Sequence, residues 1–349
     1  MISVKQFFTT PKILIDIKHP AQLNLFKGLA RQLKKEGWEV TISYLGRGKL
    51  PKIIQREYEG FDTIQVGSSH GSKWSIFWEG NVLRTIAFWK LNVKHRYNIC
   101  IAASSVPLAF ACYFTSPPVI QFYDDPERKG VNRLNAFLSD RIFFPPIVNE
   151  SKKVGIFNSL KEWSYLSPEH FEPGKQVLEE YGLKEHQYIF IREVSNKSFN
   201  YYNQQDGIVR SFAERIAPGV PVVLSLEDKT LAKQYPPSWI ILQEPVSDIH
   251  SLIYYSKLVI SSGDSMAREG AMLGVKSVYC GIREMRANQL LIKAGRLFHH
   301  PLNSGVDAIN KMVAQPVDAA AQDKYREQLQ NEWIDMTAFM HTQINLFKK

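Results

Sequence analysis

Short apolar runs, each closed by a polar turn and followed by a segment of helical periodicity, recur along most of this chain. The first run, Lys12–Ile17 (KILIDI), is nearly continuous in apolar and β-branched residues, as befits a parallel strand covered on both faces. After the turn KHPAQ, Leu23, Phe26, Ala30 and Leu33 fall at helical spacing. Lys34 and Lys35 occupy the last turn and Gly37 ends the helix. Residues 40–45 form the next strand, which gives a right-handed βαβ unit. Further strands are expected at 61–66, 99–102, 119–122 and 141–144, with helices at 50–58, 77–94 and 106–113. This half therefore reads as an open α/β sheet ending near Pro145-Pro146. Residues 145–185 are less regular and hold one short helix stopped by Gly182.

The alternation then restarts. Strands are expected at 188–192, 220–226, 239–242, 258–261 and 277–279, and helices at 206–216, 249–255, 265–273 and from 288 onward. A long helical tail spans 323–347 and is expected to cross back. Two α/β sheets facing a central cleft are the economical reading. The first Rossmann-like domain is assigned to residues 1–175, the second to 176–320, and the helical segment 321–349 is expected to pack back on the first. A chain of 349 residues exceeds what one core usually organises, which agrees.

Composition adds limits. The formal charge is +9, from 43 Lys and Arg against 34 Asp and Glu, which favours anionic partners. No dense basic tract appears, so nucleic acid is not expected. Cys100, Cys112 and Cys280 are scattered, so neither a metal cage nor a disulfide framework is expected, and a reducing compartment fits best. The opening residues lack the apolar core of a secretory signal, and no run is long enough to span a bilayer, so a cytoplasmic location is expected.

The segment LVISSGDSMAREGAMLGVKSVYCG, residues 258–281, carries the strongest chemical signal. A buried strand runs into Ser262-Gly263-Asp264-Ser265 and then into a helix, and ligands of open α/β sheets bind at such junctions. Free N–H groups and the helix dipole there receive phosphate. Ser265 or Asp264 is equally suited to act only as a helix cap. Glu269, one turn on from Ser265, stands where a carboxylate accepts hydrogen bonds from ribose hydroxyls; the plainer alternative is a surface pair with Arg268. Arg192, at the end of its strand, can clamp a phosphate or pair with Glu193 or Asp228.

In the first half, Asp16, Lys18 and His19 crowd the end of the first strand. His19 or Asp16 suits general-base work, or else both merely cap the turn. His70 and Lys73, in the polar loop GSSHGSK, and Asp124, after the 119–122 strand, are further candidates on the acceptor or phosphate side. Asp124 and Asp125 point apart on extended chain, so no two-carboxylate metal site is expected. Residues 74–96 mix Trp74, Phe77, Trp78, Phe88 and Trp89 with Arg84, Lys90, Lys94 and Arg96. This stretch either packs into the core or rests on an anionic membrane or a partner.

ILIDIKHPAQLNLFKGLARQLKKEGWEV, FYDDPERKGVNRLNAFLSDRIFFPP, WSYLSPEHFEP and SSGDSMAREGAMLGVKS together resemble the DUF354 family, which is similar to GT-B sugar-nucleotide enzymes. That group includes the lipid II-type glycosyltransferases and the UDP-N-acetylglucosamine 2-epimerases. The resemblance implies that Ser262, Gly263, Asp264 and Ser265 contact diphosphate and that Glu269 holds ribose. It also implies an acceptor-binding first domain and a nucleotide-sugar-binding second domain, with no redox cofactor and no obligatory metal. Two departures stand out: Gly263-Asp264 replaces a Gly-Gly pair, and Gln22 and Asn24 stand where the family favours histidines.

The leading functional expectation is a glycosyltransferase using a nucleoside-diphosphate sugar, UDP-sugar favoured, in surface polysaccharide or glycolipid synthesis. Its acceptor would be a saccharide or a lipid-linked one, with peripheral contact at the inner face of the membrane. The alternatives are a UDP-N-acetylglucosamine 2-epimerase-like enzyme and a non-catalytic nucleotide-sugar-binding or scaffold protein. A dinucleotide oxidoreductase is disfavoured, since no GxGxxG follows either domain's first strand.

Overall fold

Both halves of the chain fold around all-parallel sheets, and in each the strand order reverses beside the first strand. The computed structural model describes residues 10–68, 78–196, 201, 203–243, 246–301 and 304–348. In the first domain β1 (Lys12–Ile17), β2 (Glu39–Gly46), β3 (Asp62–Ser68), β4 (Ile99–Ala102), β5 (Val119–Phe122), β6 (Arg141–Phe144) and β7 (Val154–Ile156) stand in the order β3-β2-β1-β4-β5-β6-β7. In the second, β8 (Ile189–Glu193), β9 (Val222–Leu226), β10 (Ile240–Ile241), β11 (Leu258–Ser261), β12 (Ser277–Tyr279) and β13 (Leu297–His299) stand in the order β10-β9-β8-β11-β12-β13. This is the doubly wound Rossmann order, with switch points between β1 and β4 and between β8 and β11.

The first sheet is covered by α1 (Pro20–Lys35), α2 (Leu50–Glu57), α3 (Arg84–His95), α4 (Val106–Thr115) and α5 (Lys129–Leu138). Helix α1 begins with proline at its first position, where no backbone donor is needed, and buries Leu23, Leu25, Phe26, Leu29, Ala30 and Leu33. Truncating any one of these leucines to alanine would cost about 2–5 kcal/mol. The 77–94 helix is entered through a π-helical turn, Trp78–Leu83, before α3 becomes regular. Trp89 and Trp78 are about half exposed, at 47% and 49%, whereas Phe88 is buried, so only part of that aromatic stretch packs into the core. Trp74 and Phe77 lie outside the described residues. Helix α5 and strands β7 and β13 were not anticipated from the pattern.

The second domain carries α6 (Gln176–Glu180), α7 (Ile249–Tyr254), α8 (Asp264–Met272), α9 (Arg286–Lys293), α10 (Val306–Ala314) and α11 (Ala319–Glu332). The expected helix at 206–216 is instead a 3-10 segment, Arg210–Arg215. Gly274, just past α8, takes the left-handed conformation at φ +78°; a side chain there would lie 2.6 Å from the Gln322 carbonyl oxygen.

The chain divides into Met1–Tyr165 with Trp333–Lys349, and Leu166–Glu332. The boundary therefore falls about ten residues before the expected 175/176. The expected tail helix is two helices. Helix α11 belongs to the second domain, and α12 (Met336–Phe347) belongs to the first. Asp335 caps α12 by accepting from the N–H groups of Thr337 (2.7 Å) and Ala338 (3.3 Å). Met336, Met340 and Ile344 of α12 are fully buried in the core that α1 and α2 share with the sheet.

Candidate functional site

At the switch point of the second sheet, β8 and β11 lie side by side, with Arg192 in register with Ser261. Four residues after β11, Ser262 to Ser265, had been expected to meet phosphate, and the geometry changes what the first two do. Ser262 is fully buried: its hydroxyl oxygen accepts from the Val194 N–H at 2.9 Å, and its own N–H donates to the Arg192 carbonyl at 3.0 Å. Gly263 is buried as well and donates its N–H to Ser261 Oγ at 3.1 Å. Its backbone is extended (φ −109°), and a Cβ would stand 2.6 Å from Val194 Cγ1. The glycine is thus required by the close passage of the chain leaving β8, not by a ligand. These two residues brace the turn.

Asp264, the carboxylate that conflicts with an anion site, is neutralised by the protein. Its Oδ1 accepts from the Tyr201 hydroxyl, while Arg268 Nη1 at 3.2 Å and Arg283 Nη1 at 3.7 Å face Oδ2. Burial first, and then the Asp264 charge, push the Tyr201 phenol well up, so it stays a donor. Arg268 is fully buried and is held further by Asn288 Oδ1 at 3.1 Å. The plainer alternative, an exposed surface pair of Arg268 and Glu269, does not fit, since both side chains are buried. One carboxylate thus faces two guanidinium groups.

Ser265 and Met266, in the first turn of α8, are half-buried, and first-turn N–H groups have no intrahelical acceptor. One turn on, Glu269 is 7% exposed and its Oε2 lies 3.5 Å from His250 Nε2 on α7. It does not point into open solvent. Phe171 packs edge-on against His250, ring centroids 5.9 Å apart. Arg192 donates to Ser225 Oγ at 3.0 Å and lies 3.5 Å from Glu227, so its ion pair is with neither acid expected. Glu193 turns inward instead, accepting from the N–H groups of Val209 and Arg210 and from the Tyr235 hydroxyl, and burial pushes its carboxyl up.

At the first sheet's switch point, Asp16 is not presented to a ligand. It is fully buried, 2.6 Å from Arg84 Nη2, and accepts from Ser105 Oγ (2.6 Å) and Ser43 Oγ (3.0 Å). Such a carboxylate anchors the strand end, and its burial among the described residues argues against a role as base. Arg84 Nε donates to the Val66 carbonyl at 2.8 Å, and its Nη1 has no partner among the described residues.

Lys18 reaches the Ser104 carbonyl oxygen with its ammonium. Burial lowers its pKa to about 8, against the raising effect of Asp16, with Arg84 and Arg128 lowering it further. Ser104 itself holds a left-handed backbone (φ 63°), an uncommon conformation for a non-glycine residue. Ser105, Gln121, Asn135 and Ser104 form a hydrogen-bonded chain beneath it. His19 is exposed and caps α1, its Nδ1 accepting from the Ala21 N–H at 3.3 Å. In its neutral form this cap leaves the ring proton on Nε2, so taking up a proton at Nδ1 means releasing the cap.

Asp124 is buried and pairs with Lys161 at 2.7 Å, which withdraws it from the acceptor side. His70 and Lys73 lie outside the described residues. The pattern had not singled out Ser105, Tyr201, His250 or Arg283, and it had placed Arg84 only in the aromatic and basic stretch of residues 74–96, whereas Arg84 is fully buried. For Arg283 a signal existed: it follows β12, a carboxyl strand end like the others.

The chain belongs to the family described as "Protein of unknown function (DUF354)", whose profile matches residues 11–341. An uncharacterized protein of Methanocaldococcus jannaschii is 24% identical over 309 residues, covering 82% of this chain and 87% of that protein. Among solved structures, the UDP-GlcNAc 2-epimerase of Methanocaldococcus jannaschii in complex with UDP-GlcNAc and UDP superposes with a TM-score of 0.68 at 12% identity, covering 92% of this chain and 99% of that one. The spinosyn rhamnosyltransferase SpnG gives 0.67 at 14%, covering 96% and 100%. The glycosyltransferase VinC in complex with dTDP gives 0.66 at 10%, covering 96% and 98%. At such identities the likeness establishes the fold: two Rossmann-like domains of the GT-B type.

Proposed function

We propose that this protein is a glycosyltransferase that takes its sugar from a nucleoside diphosphate, with UDP favoured. The observation that carries the reading is Glu269. It is a nearly buried carboxylate, one turn into the helix that leaves β11 at the switch point, where a ribose would follow a phosphate seated on the first turn. In this reading the N–H groups of Ser265 and Met266 and the Ser265 hydroxyl receive the diphosphate. Arg283 balances the charge that develops on it as the glycosidic bond breaks. Arg192 shares that task by exchanging its Glu227 contact for phosphate. Lys18 holds a second anionic or hydroxyl group at the end of β1. His19 accepts the acceptor's proton after giving up its cap, at a cost of about 1 kcal/mol.

A 2-epimerase reading draws support from the TM-score of 0.68 to such an enzyme. Its chemistry calls for carboxylates around C2 of the sugar, and burial of Asp16 and Asp124 in ion pairs makes them poor suppliers. Incubation with UDP-N-acetylglucosamine and no acceptor separates the two. Release of UDP with N-acetylmannosamine supports the epimerase, whereas turnover that strictly requires an added acceptor supports transfer. Calorimetry across UDP-, GDP-, CMP- and dTDP-sugars tests the site beneath both. No binding by any of them defeats the proposal, and tight binding without turnover for any acceptor assigns a non-catalytic binder.

A further inference from the structure

Among the described residues, ten of the twelve large apolar side chains that are exposed fall within residues 78–137. They sit on the π-helical turn and on α3, α4 and α5, the consecutive helices that connect β3 to β6. Helix α4 touches both α3 and α5. On α4 the outward positions Phe110, Tyr113 and Phe114 are all aromatic, at spacings of three and four that place them on one face. Tyr113 stacks on Phe137 of α5, centroids 6.0 Å apart, so the apolar surface runs unbroken from one helix to the next. Phe137 is 67% exposed and Phe114 64%, far beyond what scattered surface hydrophobes require.

Within the three helices the charges have one sign, while Glu79 of the π-helical turn and the exposed Glu127 and Asp140 lie just beyond their ends. Lys90 and Lys94 of α3 and Lys129 and Arg133 of α5 are exposed, and none of the three helices contains an Asp or Glu. Aromatic side chains flanked by lysine and arginine are the composition that settles at the boundary between lipid headgroups and acyl chains. A second copy of the chain would bring a basic rim against a basic rim. An anionic lipid surface supplies the missing opposite charge.

We propose that the outer face of α3, α4 and α5 docks on an anionic lipid bilayer, with Phe114 and Phe137 inserted at headgroup depth and the four basic side chains against lipid phosphates. This surface belongs to the first domain and the nucleotide site proposed above to the second, and it suits an acceptor carried on lipid.

The test is flotation of the full chain with phosphatidylcholine vesicles, with and without phosphatidylglycerol, at low and high salt. Binding to the anionic vesicles is expected to be about tenfold stronger and to weaken with salt. F114S/F137S is expected to lower it about tenfold on anionic vesicles. K90E/K94E is expected to remove the preference for anionic lipid. Leu346→Ser, on the exposed side of α12, is the control and should bind as the parent does. All of these positions are exposed, and an unchanged melting curve verifies folding. Equal binding to both vesicle types, or unimpaired binding by F114S/F137S, overturns the proposal. So does a concentration-dependent dimer that Phe137→Glu dissolves in the absence of lipid, which would assign the face to self-association.

Discussion

Replacing Asp16 by asparagine keeps its shape and part of its hydrogen bonding but leaves the Arg84 guanidinium charged and buried without a counterion. Both side chains are fully buried and 2.6 Å apart. Breaking such a pair from one side costs about 3–5 kcal/mol, most of it the penalty of the stranded charge. With a urea m-value of about 2 kcal/mol/M, the first domain's unfolding midpoint should fall by about 1.5–2.5 M. Six of the seven tryptophans belong to that domain, so intrinsic fluorescence follows it with little contribution from the second. D16N combined with Arg84→Met removes both charges and should recover at least about 2 kcal/mol of the loss as coupling energy. If D16N leaves the midpoint where it was, the anchoring role is wrong. If the double variant regains the parent's stability yet has lost all donor turnover, Asp16 belongs in the chemistry after all.

Glu269→Gln should weaken UDP binding about 10–100-fold, the worth of charge-assisted hydrogen bonds to ribose, and should erase the preference for UDP over its 2′-deoxy analogue; calorimetry in which the variant still discriminates excludes the ribose contact. Lys18 should acylate with a midpoint near pH 8, a component absent in Lys18→Arg. Because the unfolded chain holds that proton to about 10.5, this amine makes the folded domain more stable as pH rises from about 8 towards 10.5, and labelling with a midpoint above 10 contradicts the burial argument. His19→Asn retains a capping side chain and His19→Ala does not, so only the alanine variant should lose about 1 kcal/mol of stability. Both should lower acceptor-dependent turnover about 100-fold or more, and a fully active H19N moves the base elsewhere.

Much of the architecture is legible from local pattern because parallel strands buried on both faces announce themselves as unbroken apolar runs. Lys12–Ile17 and Leu258–Ser261 coincide with the observed strands. Short elements escape this reading: β13 is three residues, Leu297–His299, and its neighbours give no alternation to count. Helix α5 was hidden by Gly130, Asn132 and Asn135, which read as loop residues; Asn135 instead donates inward to Ser104 Oγ. The helical tail looked continuous because no Gly or Pro interrupts residues 323–347. Asp335, the residue that starts a new helix, is visible only when its two backbone partners are seen.

The site shows the same division. Position at a carboxyl strand end was enough to nominate Arg192, Glu269, Lys18 and His19. Which of the neighbouring groups were already spent on the protein was not: Asp16 on Arg84, Ser262 on Val194, and Asp124 on Lys161 are pairings between residues 37 to 68 positions apart. Spacing along a chain carries no record of such distant partners. The resolution of Asp264 by Arg268 was half legible, being a helical i,i+4 pair, whereas Tyr201 and Arg283 arrive from other loops.

The last helix has a consequence for how the molecule is made. Ile344 and Met340 complete the core around α1, yet they leave the ribosome only after the whole second domain. The first domain must therefore wait, its groove open, while the whole second domain is synthesised. At about 5–20 residues per second, the intervening 167 residues impose a delay of roughly 8–33 seconds. A nascent chain held in that state offers a ready apolar surface to chaperones, and a premature stop after Glu332 would make the exposure permanent.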